Sequence, residues 1–568
     1  MNYPIFLKKT DDLCLRCNAD KLREFIHELA RTLPERNRER FLDTLNRFAE
    51  AKSADDTADK AAENTSVKEQ VQISLNALES IQNGERQLDS ECNEEWDDWN
   101  DSEEDEFIFS DPDSLLDDIQ RVFDLMHLCV DREAYADGAK LAEAVSTLTV
   151  SVSGDYCDYK DELNIGDLIG QNLLEVDLEK ATGEAVYLVF MGKPAEERAE
   201  AVLNILYRFC DTDFSLETML QMGNDEIDLD GFLPSWIEAL GKRTDRLANR
   251  LILEAQAMTH SEETVLNNAH RYAETHPALY RQILESNRGT AKDEQMLKVG
   301  LQALDEVPNN HTVRNDIALL AADYAVQLNL PDTAEACWLE AFRTYPSVVN
   351  YLRLRLMARN WTEIAPDVQA FYSGFSVKEY TLQGKVYASI LFFEGKLDEM
   401  KEKFMQAGNG IGWSPTFMKE GIALLLLLLN SGSENLPGLN AMWKKALDAC
   451  SFKVETYYAG TGRTSALDDQ EAFREVFNSW KNQTSISEAE QNAWMGRLDK
   501  WISLRVAAIM DANRRGYYDE CAAFVAALGE VRESLGGGSK ASLMEKYRAD
   551  YSRRRAFHEE LRFYGMKK

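Results

Sequence analysis

The chain has 568 residues, of which 44% are hydrophobic and 10% are aromatic, so it has ample material for packed cores and is not a disordered polymer. Only 12 residues are proline, which breaks helices, and this scarcity favours a helical fold. The 98 acidic residues outnumber the 63 basic ones, and a formal net charge of -35 disfavours binding to nucleic-acid phosphates or anionic lipid headgroups.

The N-terminal sequence, the apolar runs and the cysteines predict a soluble, cytoplasmic protein. No apolar signal core and no small-residue cleavage site begins the chain, so we do not expect a secretory signal. The longest apolar run, Ile422 to Leu429, is far shorter than the roughly 20 residues that cross a bilayer. The 9 cysteines form a scattered, odd set, which argues for a reducing compartment.

The first hundred residues predict helices interrupted by polar segments. Residues 19–51 show the periodicity of two helices, and residues 1–51 form a predicted N-terminal helical cap. Residues 52–108 form a predicted acidic linker, in which 71–81 allow one helix and 52–66 lack large apolar side chains. From residue 89 to 106, most side chains are Asp or Glu, so we expect disorder or a solvated loop there.

Trp96 and Trp99 are the two apolar side chains that stand out in this acidic segment. Exposed tryptophans are costly, and they often anchor a disordered segment that folds onto a partner. They could equally dock onto a groove of the scaffold itself. Both interpretations stay open at this point.

Residues 109–243 predict a helical domain with one ambiguous segment. Leu148, Val150 and Val152 alternate with Thr and Ser as in a short strand. The Gly154-Asp155 pair that follows is equally compatible with a frayed helix end or an isolated bridge.

Residues 226–231 resemble the opening of a calcium-binding EF-hand loop. The twelfth position should be a bidentate carboxylate, yet it is Ile237 here, and Pro234 interrupts the pattern. We therefore interpret the segment as an acidic loop that caps the helix containing Trp236.

Residues 244–450 fall into predicted helix pairs. In residues 313–346, one apolar helical stripe ends before Pro331, and a second carries the small Ala334 and Ala341 around the large Trp338. This spacing is typical of a tetratricopeptide repeat, in which small residues let helices approach closely and proline ends the pair. One pair cannot bury its own apolar face, so such units stack.

The remaining chain predicts an irregular connection at residues 451–485 and a C-terminal helical bundle at 486–568. Ser487 and Glu490 have the spacing of a capping box that opens a helix. The arginines at 548 and 553–555 could form a patch for nucleic acid or a helix face balanced by acids, and the net charge favours the second.

No pattern in the sequence predicts catalysis, a metal or a cofactor. Cys14 and Cys17 form only half of a zinc site, and we interpret them as unpaired thiols. The glycine run at 408–412 lacks a preceding strand and predicts a loop. None of the 7 histidines has a recognisable triad context.

Several segments of residues 245–568 carry a family resemblance. They are His276-Pro277-Ala278-Leu279-Tyr280, Gly300-Leu301-Gln302-Ala303-Leu304, Ala341-Phe342-Arg343-Thr344-Tyr345-Pro346-Ser347, Tyr351-Leu352-Arg353-Leu354, Arg514-Arg515-Gly516-Tyr517-Tyr518 and Tyr551-Ser552-Arg553-Arg554-Arg555-Ala556-Phe557. In this order they resemble the helical region of bacterial SWIM zinc-finger proteins and their finger-less relatives. The C-x-C and C-x-H ligand pairs of that finger are missing from this chain, so the resemblance implies only a superhelical scaffold.

Together these patterns predict an all-α fold, namely an α-solenoid of tetratricopeptide-like helical hairpins with an N-terminal helical cap and an acidic linker. The predicted function is a non-catalytic protein–protein interaction scaffold, and the alternative is a nucleic-acid-associated regulatory protein related to SWIM zinc-finger proteins. The expected partner is a protein or peptide, with a basic one as an option, and neither nucleic acid nor a membrane is expected. Candidate partner-binding residues, besides the two tryptophans, are Tyr280, Tyr324 and Tyr351.

Overall fold

The computed structural model describes residues 16–32, 41–42, 57–93, 106–154, 162–209, 214–222, 227–375, 381–406 and 410–567. Its internal contacts divide the chain into two units, residues 1–268 and 269–568. The predicted boundary between residues 243 and 244 therefore lies inside the first unit. Helices dominate both units, which confirms the all-α prediction in its coarse form, but the first unit also contains a small sheet.

The first unit contains ten helices and four strands among its described residues, and an eleventh helix carries the boundary between the units. The helices are α1 (Ala19–Thr32), α2 (Thr57–Gln82), α3 (Leu115–Asp131), α4 (Tyr135–Ser146), α5 (Ile165–Gly170), α6 (Leu178–Gly192), α7 (Arg198–Phe209), α8 (Leu216–Leu220), α9 (Leu229–Gly241), α10 (Arg246–Met258) and the boundary helix α11 (Glu262–Arg271). The strands are β1 (Leu88–Asn93), β2 (Glu106–Ser110), β3 (Thr149–Gly154) and β4 (Glu162–Asn164).

The sheet has the strand order β2-β1-β3-β4. Strand β1 pairs antiparallel with β2 and parallel with β3, and β3 pairs antiparallel with β4. Of the alternatives left open for Leu148 to Val152, the structure therefore shows a strand in a sheet. Val150 and Val152 are buried on its covered face, and β3 contacts helix α2.

The prediction of disorder or a solvated loop was wrong for residues 89–93 and 106, which belong to strands β1 and β2. The strand side chains alternate between the two faces of the sheet. Leu88 and Ser90 are buried, whereas Asp89 and Glu91 are exposed. The acidic side chains thus stay in water while the backbone between them pairs.

The predicted linker at 52–66 was also wrong over its described part, because residues 57–66 belong to the 26-residue helix α2. A stripe of apolar side chains that starts at Val67 and continues through Val71, Leu78 and Ile81 is buried. Helix α2 contacts α3 and α4. The lack of large apolar residues at its start does not prevent helix formation, because the later turns bury the stripe.

The acidic loop at 226–231 caps a helix, as interpreted from the sequence. Asp228 is the N-cap residue of α9, and its carboxylate accepts a hydrogen bond from the backbone N–H of Gly231 at 3.0 Å. Trp236 is fully buried in the same helix. Glu226 lies outside the described residues.

The part of the second unit that the structure describes contains sixteen further helices. They are α12 (Ala278–Ser286), α13 (Asp293–Glu306), α14 (Val313–Gln327), α15 (Pro331–Thr344), α16 (Val348–Met357), α17 (Trp361–Ser373), α18 (Leu382–Phe393), α19 (Leu397–Phe404), α20 (Met418–Leu429), α21 (Pro437–Cys450), α22 (Val454–Tyr458), α23 (Asp469–Lys481), α24 (Glu488–Asp511), α25 (Tyr518–Ser534), α26 (Lys540–Asp550) and α27 (Arg555–Phe563). A 3-10 turn, Arg515–Tyr517, precedes α25.

The helix pair predicted at 313–346 is confirmed as α14 and α15, with Pro331 in the first turn of α15. Helix α14 also contacts α13 closely. A Cβ atom on Gly300 of α13 would lie 2.9 Å from the Cβ of Ala321 on α14. The two small residues therefore permit the close approach.

The prediction of an irregular connection at 451–485 was wrong, because the segment contains helices α22 and α23. Phe473, Phe477 and Trp480 are buried and follow one face of α23. Their spacing is helical, and the polar residues between them masked this signal. Helix α21 contacts α25, so the C-terminal helices share a core with earlier ones.

The capping box predicted at the start of α24 is confirmed, since the side chains of Ser487 and Glu490 each accept from the other's backbone N–H. Within the described part of the chain, no helix is long and apolar enough to cross a membrane.

Candidate binding groove

The three tyrosines predicted to bind a partner lie in the core of the second unit. Tyr280, Tyr324 and Tyr351 are 1%, 3% and 0% exposed, respectively. The prediction of a binding face at these rings is therefore corrected, because a partner cannot reach a buried ring. Trp96 and Trp99 lie outside the described residues.

The tyrosine side chains join helices to one another instead. The Tyr324 hydroxyl donates to the backbone carbonyl of Leu284 at 2.6 Å, and the Tyr280 hydroxyl donates to Glu306 Oε2 at 2.5 Å. The Tyr351 ring packs edge-on against Trp361. Burial raises the pKa of Tyr324 to about 12, and it also raises the pKa of Tyr280 and Tyr351. These phenols stay protonated at neutral pH.

A surface groove of about 390 Å³ lies in the second unit between helix α14, the end of α12 and residues 454–465. We call residues 454–465 the strap. The helix side of the groove is lined by Glu285, Arg288, Asp316, Leu319, Leu320 and Asp323, and the strap side by Val454, Glu455, Tyr458, Ala459, Gly460, Arg463, Thr464 and Ser465. Leu319 and Leu320 are mostly buried and form an apolar floor.

Arg353 of helix α16 anchors the first half of the strap. Its side chain is fully buried, and its Nε donates to the backbone carbonyl of Tyr457 at 2.9 Å. One terminal nitrogen donates to the carbonyl of Thr456, and the other donates to Asn350 Oδ1 at 2.5 Å. Burial lowers the pKa of Arg353 to about 10, so it remains charged at neutral pH.

No carboxylate of the described residues forms an ion pair with Arg353, so backbone carbonyls and an amide oxygen take that role. Two of these carbonyls belong to the last turn of the short helix α22. Carbonyl groups at a helix C-terminus carry partial negative charge and favour a nearby cation. Asn350 is itself fixed, because its amide nitrogen donates to the carbonyl of Tyr345 at 2.8 Å and to Asn315 Oδ1 at 3.0 Å.

Two further contacts anchor the second half of the strap. The indole nitrogen of Trp338 donates to the carbonyl of Gly460 at 2.9 Å, and Asp323 accepts from the backbone N–H of Gly462 at 2.8 Å. Gly460 has a φ of 73°, and a Cβ atom there would lie 2.6 Å from the carbonyl oxygen of Leu319. Only glycine fits this left-handed, close approach.

The sequence did not identify Arg353 as an anchor, and it placed Trp338 only as a spacer between helices. Their partners lie 104 and 122 residues away in the chain. The one local signal was the glycine pair at 460 and 462, whose backbone conformation glycine favours.

The groove offers more acidic than basic side chains. Four carboxylates line it, at Glu285, Asp316, Asp323 and Glu455, against the guanidinium groups of Arg288 and Arg463. Arg288 pairs with Asp323 at 2.6 Å. Glu455, on the strap side of the groove, is exposed.

The titratable clusters outside the groove do not assemble a metal centre. In the described ranges, no group of three or more His, Cys, Asp or Glu side chains is placed to hold a metal ion. Partial burial opposes ionisation of Glu306, but hydrogen bonds from Tyr280, Gln302 and His270 outweigh it and keep the pKa of Glu306 below its usual range. This carboxylate joins α11, α12 and α13.

No protein-family model, no curated protein and no solved structure matches the chain.

Proposed function

We propose that this chain is a non-catalytic protein–protein interaction scaffold, and that the groove of its second unit binds an extended peptide. The observation that carries the proposal is the groove between α14 and the strap, with its apolar floor and acidic walls. A volume of about 390 Å³ is large enough for several side chains.

The scaffold itself is proposed to be an array of tetratricopeptide-like helix pairs. Neighbouring helices contact each other in sequence order from α12 to α16, and next-but-one contacts join α12 with α14, α15 with α17, and α16 with α18. Such a ladder of contacts is typical of stacked helical hairpins, in which each pair buries the apolar face of its neighbour. The close approach at Gly300 and Ala321 supports the same arrangement.

The anchoring of the strap supports binding without a large rearrangement. Hydrogen bonds from Arg353, Trp338 and Asp323 hold one wall of the groove in place before any ligand arrives. A preformed wall lowers the entropic cost of binding.

The proposed ligand is a basic segment of a partner protein. Carboxylates outnumber guanidinium groups in the lining, and the whole chain carries a net charge of -35. Such complementarity accelerates encounter with cationic partners and suppresses acidic ones, while the floor of Leu319 and Leu320 supplies apolar contact.

A groove-filling variant tests the proposal. Thr464 is exposed on the strap side of the groove, so Thr464→Trp should fill the space with little effect on the fold. Thr362→Trp is the matched control, because Thr362 is equally exposed on α17 and does not line the groove. Proteins captured from native lysate by the wild type and by Thr362→Trp, but not by Thr464→Trp, are the expected partners.

A direct measurement uses fluorescein-labelled peptides in place of an unidentified partner. A Lys/Arg-rich peptide should bind the full-length protein more tightly than its Glu-rich counterpart, with an affinity that falls as salt rises. The charge reversal Glu455→Lys should weaken that binding. Equal capture and equal peptide binding by wild type and Thr464→Trp would refute the groove as the binding site.

A further inference from the structure

A cluster of arginines forms a second charged surface, and its positive charge is opposite in sign to the net charge of the chain. Helix α24 ends at Asp511 and is followed by the loop 512–514 and the 3-10 turn, and helix α27 is preceded by the turn 551–554. Arg554 joins the two loops, because its guanidinium donates to Asn513 Oδ1 and to the carbonyl of Met510, each at 2.6 Å. The fold therefore brings two arginine-rich segments together that are far apart in the sequence.

Four of the arginines in these loops are exposed and available. Arg514, Arg515, Arg553 and Arg555 make no side-chain hydrogen bond or ion pair with any residue that the structure describes. Arg548 differs, since it pairs with Glu545 at 2.5 Å and belongs to a balanced helix face. The sequence-based interpretation of a balanced face thus holds for Arg548 and not for Arg553 and Arg555.

The local charge is positive although the chain is strongly acidic. Residues 511–515 and 550–555 contain five arginines and two aspartates, Asp511 and Asp550, which gives a net charge of +3. Asp519 and Glu559 are exposed nearby in the chain and limit the patch at its edges.

Three of the arginines lie at the N-terminus of helix α27, where a positive charge is unfavourable. Arg555 is the first residue of α27, and Arg553 and Arg554 precede it. The first turn of α27 contains no acidic side chain, and no side chain caps its N-terminus. The N-terminus of a helix carries partial positive charge and normally attracts acidic side chains. Asn513 and the carbonyl of Met510 compensate Arg554, but no described residue compensates Arg553 or Arg555. A local rule broken in this way is typical of a functional surface.

We infer that the cluster of Arg514, Arg515, Arg553, Arg554 and Arg555 docks a short acidic segment of a partner protein. Exposed guanidinium groups bind carboxylates through paired hydrogen bonds. The positive patch is confined to two loops, which matches a short peptide, whereas a nucleic acid would extend its phosphates over the acidic surroundings. This surface is separate from the groove and binds a ligand of the opposite charge.

The test measures binding of two labelled anions to the full-length protein. The first is a peptide rich in Glu and Asp, compared with the same peptide carrying Gln and Asn, and the second is single-stranded RNA of equal charge. The variant Arg553→Glu/Arg555→Glu keeps Arg554, which holds the loops together. The control Lys444→Glu/Lys500→Glu changes the net charge equally at two exposed lysines outside the cluster.

The acidic peptide should bind wild type and control alike, and at least about tenfold more weakly to the arginine variant. Its affinity should fall with salt, and the neutral peptide should not bind. Stronger binding of RNA than of the peptide, lost in the arginine variant, would overturn the assignment in favour of a nucleic-acid surface. Salt-sensitive self-association that the arginine variant abolishes would overturn it in favour of a second copy of the chain. Equal peptide binding by all three proteins would overturn it as well.

Discussion

Arg353 shows how one residue can hold a distant part of the chain. A buried guanidinium without a carboxylate partner is costly unless hydrogen bonds replace its contacts with water, and each of the three nitrogens of Arg353 donates one. Here the acceptors are the carbonyls of Thr456 and Tyr457 and the amide oxygen of Asn350. Since the strap forms one wall of the groove, this arginine connects the core to the candidate site.

Replacing Arg353 should destabilise the second unit. Arg353→Met removes the guanidinium and leaves buried acceptors on the strap without donors, which we expect to cost about 3 kcal/mol. Urea unfolding followed by tryptophan fluorescence measures the loss. The control Arg355→Met affects a less buried arginine of the same helix, which contacts Trp361 and Gln483, and should cost less than about 1 kcal/mol. Equal unfolding midpoints for wild type and Arg353→Met would contradict the anchoring role.

The buried thiols are a second feature at this scale. Burial raises the pKa of Cys129, Cys337, Cys450 and Cys521 to about 12, whereas Cys17 is exposed. Because the thiolate is the reactive form, a raised pKa and burial both suppress alkylation.

Iodoacetamide treatment of the native protein at about pH 8 should therefore modify Cys17 and spare these four cysteines. Peptide mass spectrometry before and after unfolding in urea measures the difference. Rapid native modification of Cys450, which is buried in helix α21, would show that its helix is not packed as described.

At the scale of elements, the packing around a helical glycine decides whether its replacement by alanine raises or lowers stability. Gly300 faces Ala321 at a distance that leaves no space for a methyl group. Gly496 of α24 has no atom near the position of a Cβ. Both are helical, so the intrinsic preference for alanine is the same and only packing differs.

We expect Gly496→Ala to stabilise the protein by up to about 1 kcal/mol, because alanine is the better helix former. Gly300→Ala should instead destabilise it by about 1–3 kcal/mol, because the added methyl group forces α13 away from α14. Thermal unfolding followed by circular dichroism compares the two. A gain in stability for Gly300→Ala would argue against close packing of these helices.

An ion cluster joins three elements near the C-terminus of the second unit. Arg505 of α24 and Lys419 of α20 both contact Glu520 of α25, at 2.8 Å each. Burial opposes ionisation of Glu520, but hydrogen bonds from Lys419 and Arg505 outweigh it and hold its pKa below the usual range. Arg505 also donates to the carbonyls of Gly410 and Ile411 and thus fixes that loop.

A carboxylate with a lowered pKa in the folded state stabilises the fold above its unfolded pKa, and this contribution is lost as pH falls through the folded pKa. We therefore expect Glu520→Gln to lower the free energy of unfolding at about pH 7. The difference in this free energy between wild type and variant should shrink below about pH 4. Unfolding in urea at both pH values tests this expectation. A difference that is the same at both pH values would mean that the charge of Glu520 does not contribute to stability.

Local signals predicted elements well where the determining contacts were close in sequence. The capping box of Ser487 and Glu490 and the break between α14 and α15 at Pro331 were both predicted, because each signal acts within one or two helical turns. Strand β1 was missed because its acidic composition suggested solvent, and only pairing with β2 and β3 stabilises it. Helix α23 was missed because its buried aromatic stripe is surrounded by polar residues.

At the scale of the whole molecule, residues 269–568 form a unit with its own core. The helices after α20 contribute to that core, since α21 contacts α25 and α25 contacts α26 and α27. A separate C-terminal bundle is therefore not needed to explain residues 486–568.

A fragment of residues 261–568, which keeps α11 intact, should fold by itself because its apolar side chains are buried among its own helices. Circular dichroism should show a helical spectrum and a cooperative thermal transition. A fragment that begins at Val313 lacks the helices that cover α14 and should lose that cooperativity or aggregate. Cooperative unfolding of the shorter fragment, or its absence in the longer one, would contradict this division.

The sequence by itself determined that the chain is mostly helical, where many of its helices begin and end, and that α14 and α15 form a pair. These properties follow from side-chain periodicity, capping and proline, all of which act between neighbours in the chain. The tertiary structure decided that the three tyrosines are buried, that the strap lies against α14 and α16, and that two arginine-rich loops meet. These depend on contacts between residues as far as 139 positions apart, whose partners no local pattern specifies.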